Sequence, residues 1–186
     1  MEGYPSLPGF RADPPLDAAI SEGRVAAEVR PHVRKADVQS KLEVVPENIE
    51  KLEFLRAKSY QEFCSDFRNI DSALHRLQTS IQALIDIGSY VIAELGLRTP
   101  SSNAEVIEIL TQAEVINPAD RDRYISMIQF RNRVVHLYNR IDVEVVYRIL
   151  REELDDIRKL YRVLLDVIDA HEGEKGGELR RFSPRP

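Results

Sequence analysis

Between Phe67 and Leu95 the residues Ile70, Leu74, Leu77, Ile81, Leu84, Gly88, Val91 and Leu95 follow one another at alternating steps of four and three. That spacing holds them on one face of an α-helix and would scatter them over both faces of a strand. A helix this long with one apolar seam must bury it against other helices, so the seam predicts an antiparallel bundle. Signals for the remaining helices agree. Pro46 to Ala57 reads as a helix with Pro46 in its first turn and Ile49, Leu52 and Leu55 inward. Ser59 reads as the N-cap of a short helix, Tyr60 to Ser65, and Gly96 closes the long helix. Pro100-Ser101-Ser102 opens a helix from Asn103 to about Ala113, with Val106, Ile107 and Leu110 inward. Asn117-Pro118 opens another, to about Tyr138. Asp142 caps a final helix to about Ala170, with Val143, Val146, Leu150, Leu154, Ile157, Leu160, Leu164 and Val167 inward. No strand or hairpin signal interrupts the series. The expected class is all-α, an up-and-down four-helix-type bundle with one or two additional short helices.

The ends of the chain differ from this middle. Residues 1–37 hold Pro5, Pro8, Pro14, Pro15 and Pro31, and only Leu16 to Val29 has a weak helical period, broken by Gly23. They are expected to form a partly disordered extension carrying at most one short helix, either specific to this protein or lying upstream of the true start codon. The helical domain is expected over 38–170. Residues 171–186, with Gly173, Gly176, Gly177 and Pro184, are expected to be a flexible tail.

Composition removes several classes of function. At 186 residues, 43% hydrophobic and 31% charged, the chain suits one soluble domain. No apolar run reaches the roughly 18 to 20 residues of a membrane span, and the N-terminus does not resemble a secretory signal. With Cys64 the only cysteine there is no intrachain disulfide or thiolate cluster, and a cytoplasmic location is the default. No Glu-x-x-His pair occurs, and His32, His75 and His171 lack ligand-spaced partners, so no metal site is expected. Gly-rich phosphate loops, Gly-x-Ser-x-Gly elbows and Cys/His pairings are missing as well. Cys64 reads as a filler and His75 as a solvated residue. On these grounds alone the chain would be a scaffold or interaction module.

One stretch resists that reading: Arg131-Asn132-Arg133-Val134-Val135-His136-Leu137-Tyr138. Tyr124, Ile128, Val135 and Tyr138 form a helical stripe, and Arg131 falls inside it. A guanidinium on an apolar face needs an anion, a carboxylate or a wet cleft. The net charge of -5 argues against general nucleic-acid coating, yet from Arg121 to Arg140 there are five arginines and one acid, Asp122. A basic island on an acidic chain fits one phosphate-bearing ligand, with Arg133 and Arg140 as further substrate contacts. Its bland counterpart is a solvated arginine face. Asn132, four residues before His136, can orient the imidazole or a phosphate. Asp86, flanked by apolar residues in the long helix, either pairs with Arg131 or His136 or faces solvent beside Thr79 and Gln82. Tyr138 can be an aromatic closing the stripe.

The pattern Arg-x-x-x-x-His-x-Tyr, with Asn after the Arg and Asp142 following, resembles the signature of the HEPN superfamily, and within it of the HepT toxins. The resemblance runs from about Val38 to about Ala170 and takes in Ala83-Leu84-Ile85-Asp86-Ile87 and Gly96-Leu97-Arg98-Thr99-Pro100. It implies a toxin paired with an MntA-type minimal nucleotidyltransferase antitoxin, a homodimer with the motif at its cleft, and adenylylation of Tyr138 as the silencing step. With the motif, metal-independent RNA cleavage becomes physically reasonable. The 2′-hydroxyl attacks phosphorus, His136 acts as general base or acid, and Arg131 clamps the phosphate. The products would carry a 2′,3′-cyclic phosphate and a 5′-hydroxyl. Geometry sets a difficulty, because residues five apart point about 140° from one another on a straight helix. A long arginine, a loosened helix near His136 or a second copy of the chain would each resolve it. Three alternatives stand beside this reading: a non-catalytic module that docks on a nucleotidyltransferase and binds nucleotide or RNA phosphate, a structural dimerisation domain, and a structural Arg paired with a buried acid beside a helix-capping His.

Overall fold

The computed structural model describes the backbone of residues 35–137 and 142–181 and the side chains of 38–135 and 142–171. The weak period at Leu16–Val29 lies outside these residues. Those described form seven α-helices: α1 (Lys35–Arg56), α2 (Tyr60–Cys64), α3 (Phe67–Glu94), α4 (Asn103–Gln112), α5 (Arg121–Leu137), α6 (Val143–Glu152) and α7 (Leu154–Arg181). A 3-10 turn, Pro118–Asp120, leads into α5. The architecture is the all-α bundle that the seam of α3 demands, and no helix among the described residues is long and apolar enough to cross a membrane.

Ion pairs and hydrogen bonds fix the helix directions. Lys41 meets Asp86 and Asn48 meets Thr79, so α1 and α3 are antiparallel. Glu53 meets Arg158 and Arg56 meets Asp155, so α1 and α7 are antiparallel too. Asp120 with Lys159 and Arg123 with Asp156 set α5 antiparallel to α7. Helices α3 and α7 therefore run one way, α1 and α5 the other. At the centre is α3, which packs against each of the other six. Its seam is buried from Leu74 to Val91, while Ile70 is half-buried and Leu95 exposed. Its opposite faces are buried as well at Ala83, Ile85, Ile87, Tyr90 and Ile92. Gly88 lets α4 approach: a Cβ there would lie 2.8 Å from Val106 Cγ1 and 3.3 Å from Leu110 Cδ1.

The helix ends follow from short-range chemistry. Ser59 and Glu62 form a reciprocal capping box at α2, and Asp142 Oδ1 accepts the Glu144 N–H at 2.9 Å to start α6. After α3, Gly96 turns left-handed at φ 66; its N–H reaches the Ala93 carbonyl and that of Leu97 reaches Ile92, a Schellman closure. At α4, the Ser101 hydroxyl and backbone N–H, then Arg98, hold the Glu105 carboxyl down at about 2. A carboxyl below its ordinary 4.5 stabilises the fold above that pH, and the contribution disappears as pH falls towards 2. An NMR pH titration should give a Glu105 midpoint near 2; one near 4.5 would show that the clamp does not form.

Three expectations need correction. Helix α1 begins eleven residues before Pro46, which is interior rather than first-turn. Val38, Leu42, Val45, Ile49 and Leu52 continue one stripe through the proline. The Leu42 carbonyl, deprived of its i+4 donor by Pro46, accepts the Tyr161 hydroxyl of α7 at 2.9 Å. Second, the helix expected from Asp142 to Ala170 breaks at Glu153, with φ -115. Here α6 is tied to the end of α1 and the segment after it: Tyr147 Oη donates to the Lys58 carbonyl and Arg151 to the Arg56 carbonyl, while Arg56 donates back to the Arg151 carbonyl. Beyond the break, the start of α7 pairs with α1 through Asp155 and Arg158. Third, α7 continues to Arg181, past the expected end at Ala170.

Candidate active site

Helix α5 carries the motif. Asn117 Oδ1 accepts the Ala119 N–H at 2.9 Å, Pro118 fills the first turn, and Tyr124, Met127, Ile128, Phe130 and Val134 bury the inner face. The stripe drawn through Val135 needs correction: Val134 is fully buried and Val135 is 43% exposed. At 3.6 residues per turn the inward line from Tyr124 and Ile128 passes Arg131 and arrives at Val134. Tyr124 shares that line; burial, with Asp120 and Asp156 nearby, pushes its phenol up to about 12.

Arg131 thus stands on the inner line of α5, half-buried. Its Nη1 donates to Asn132 Oδ1 at 3.2 Å, and its Nε is fully buried with no hydrogen-bond partner among the described residues. Leaving a buried charged donor unmet is unfavourable by about 1–3 kcal/mol or more, which an incoming anion would relieve. Asn132 is half-buried and acts on Arg131 through that bond; Arg133 is exposed. The backbone of His136 lies in the last turn of α5, and its side chain lies outside those described. Tyr138 and Arg140 fall outside the described residues. Because α5 is helical through Leu137, the divergence of about 140° between positions 131 and 136 stands on the backbone itself. A loosened turn at His136 is therefore not the resolution.

Asp86 belongs elsewhere. Its carboxylate receives Gln82 Nε2 at 2.7 Å and lies 3.2 Å from Lys41 Nζ. The pairs His171–Glu94 and Arg123–Asp156 set the register of α3, α5 and α7. They separate Asp86 from Arg131 by roughly 20 Å along the bundle axis. The expected pairing of Asp86 with Arg131 or His136 does not fit one chain. Lys41 was missed as its partner because it precedes Pro46, where a helix was not expected; the stripe beginning at Val38 was the available signal.

Comparison with known proteins places the chain in a family. The family model described as HepT-like, ribonuclease HepT-like, matches residues 45–164. A Shewanella oneidensis protein named mRNA nuclease HepT is 28% identical over 109 residues, 59% of this chain and 79% of that protein. An Aphanizomenon flos-aquae protein named tRNA nuclease HepT is 24% identical over 110 residues, 59% and 75% respectively. Among solved structures, the tri-AMPylated Shewanella oneidensis HEPN toxin in complex with MNT antitoxin superposes with a TM-score of 0.62 at 26% identity. That match covers 72% of this chain and 96% of the other. With the family model spanning most of the bundle, the chain belongs to the HepT-like ribonuclease family.

Proposed function

We propose that this protein is the RNA-cleaving toxin of a toxin–antitoxin pair, working without a metal ion and silenced by adenylylation of Tyr138. The observation that carries the reading is Arg131, whose buried Nε lacks an acceptor while Nη1 is steadied by Asn132. A phosphate oxygen is an acceptor of the right charge. In the proposed reaction a base removes the 2′-hydroxyl proton and the 2′-oxygen attacks phosphorus. The bond to the 5′-oxygen breaks, and that oxygen leaves with a proton. His136 serves as base or acid, Arg131 holds the growing phosphoryl charge, and Arg133 and Arg140 meet neighbouring phosphates. A homodimer would bring two copies of the motif to one cleft and answer the angular divergence. Val135, next to His136, and Phe67, at the start of α3 and the same end of the bundle, are exposed apolar residues that such a partner would cover. The antitoxin in this reading is an MntA-type nucleotidyltransferase; the complex named above pairs its toxin with an MNT antitoxin. Its adenylate on Tyr138 would add anionic bulk beside Arg131.

The test is cleavage of tRNA and mRNA in EDTA by protein whose mass shows no adenylate. New 3′ ends carrying 2′,3′-cyclic phosphate are expected. Uncut RNA would leave the second reading, favoured by the divergence of positions 131 and 136: a module that binds nucleotide phosphate through Arg131 without catalysis. His136→Gln separates the two, because a glutamine can still hydrogen-bond but cannot move the proton.

A further inference from the structure

A groove of ≈ 720 Å³ lies along α6, lined by Tyr60 of α2 and by Asp142, Tyr147, Arg148, Arg151 and Glu152 among others. We infer that it is a subsite for one nucleotide, the base lying on Tyr60 and the phosphate on Arg148. The inference rests on the ribonuclease reading for the source of that nucleotide, and on the groove itself for its chemistry.

The platform is built rather than incidental. Tyr60 meets Tyr147 edge to face, with centroids 5.2 Å apart, and Tyr147 also leans on buried Phe63 at 5.5 Å. The Tyr147 hydroxyl is tied to the Lys58 carbonyl at 2.9 Å. Tyr60 is held by these ring contacts, is still 44% exposed and belongs to the lining of the groove. A fixed aromatic face accepts any base by stacking. Arg151 is occupied by the Arg56 carbonyl, whereas Arg148 is exposed and has no partner among the described residues. One guanidinium is therefore free beside one aromatic platform.

Charge limits how much nucleic acid the groove takes. Asp142, Glu144 and Glu152 face Arg148 and Arg151 there, three carboxylates against two guanidiniums. A strand with successive phosphates would be repelled, while a single nucleotide places one phosphate at Arg148. The groove is also close to the motif in the chain. Asp142 on its rim is five peptide links from Leu137, so it stands within about 18 Å of the end of α5. The nucleotide could be part of the RNA flanking the cut phosphate, or the adenylate carried by Tyr138.

The test uses unmodified full-length protein and two probes: a fluorescein-labelled, uncleavable 2′-O-methyl RNA hexamer followed by anisotropy, and AMP followed by saturation-transfer NMR. Tyr60→Leu keeps apolar cover but loses the ring and should weaken binding about 5- to 150-fold. Arg148→Gln should weaken it less and make the hexamer's salt slope shallower by about 0.7. Tyr60-dependent binding of AMP identifies the adenylate as occupant, and dependence confined to the hexamer identifies the RNA. Wild-type protein that binds through Tyr60 yet cuts no RNA would keep the subsite and remove the ribonuclease reading. Wild-type affinity for both probes in both variants, or no binding of either probe by wild type, overturns the subsite. Because Arg148 is exposed, its variant keeps the test valid if Tyr60→Leu does not fold.

Discussion

On the proposed ribonuclease reading, His136→Ala should lower RNA cleavage about 10²- to 10⁴-fold, the usual contribution of one general acid or base, and Arg131→Met should lower it about 10²- to 10³-fold. The informative part is what the two changes do to stability. Arg131 Nε is buried with no partner among the described residues, so replacing the guanidinium by an apolar side chain removes an unmet donor along with one long, half-buried bond to Asn132. Arg131→Met should melt at or above the wild-type temperature while losing activity. A structural Arg paired with a buried acid would behave in the opposite way, unfolding earlier when its partner is stranded. Thermal melts beside the cleavage assay therefore decide the role of Arg131. An Arg131 variant that still cleaves at the wild-type rate would sink the phosphate-clamp assignment.

Gly88→Val destabilises the fold by about 1–3 kcal/mol, the range for inserting carbon into a filled core. For a chain of this size that is a fall in Tm of roughly 2–12 °C. The first added atom would stand 2.8 Å from Val106 Cγ1, and a β-branched valine has no flexible end to swing aside. Alanine is a closer contest, because the gain in helix propensity of about 1 kcal/mol opposes the same contact. Val106→Ala in the Gly88→Val background should return most of the loss, with coupling visible in a double-mutant cycle. A single variant that melts like wild type would show that α4 moves away freely.

Much of this bundle is readable from spacing alone. The seam of α3, the capping residues Ser59, Asn117 and Asp142, and the Gly96 stop are all local signals, and each operates locally in the structure. The misreadings have tertiary causes. Pro46 is a helix breaker until Tyr161, 115 positions later, supplies the donor that its neighbour's carbonyl lacks. The break at Glu153 lies in an unbroken apolar stripe, with Leu150 and Leu154 both fully buried, so no periodicity could mark it. Val134 and Val135 are indistinguishable in composition, and only the packing of α5 decides which faces the core. At the motif, an arginine on an apolar line was legible; that its nearest held partner is Asn132, and that Asp86 belongs to Lys41, depended on how the helices are registered.

The bond between Tyr161 and Leu42 has a consequence for how the protein is made. A ribosome releases α1 long before α7, and until residue 161 has emerged the Leu42 carbonyl must be hydrated by water. The half of α1 before Pro46 thus lacks its replacement hydrogen bond during most of synthesis. Nascent chains shorter than this would hold that half frayed, and the stretch from Lys35 to Val45 would lock only when the last helix docks. The first of the described helices to be translated is then among the last of them to be completed, which ties the closing of the bundle to the arrival of its own C-terminal third.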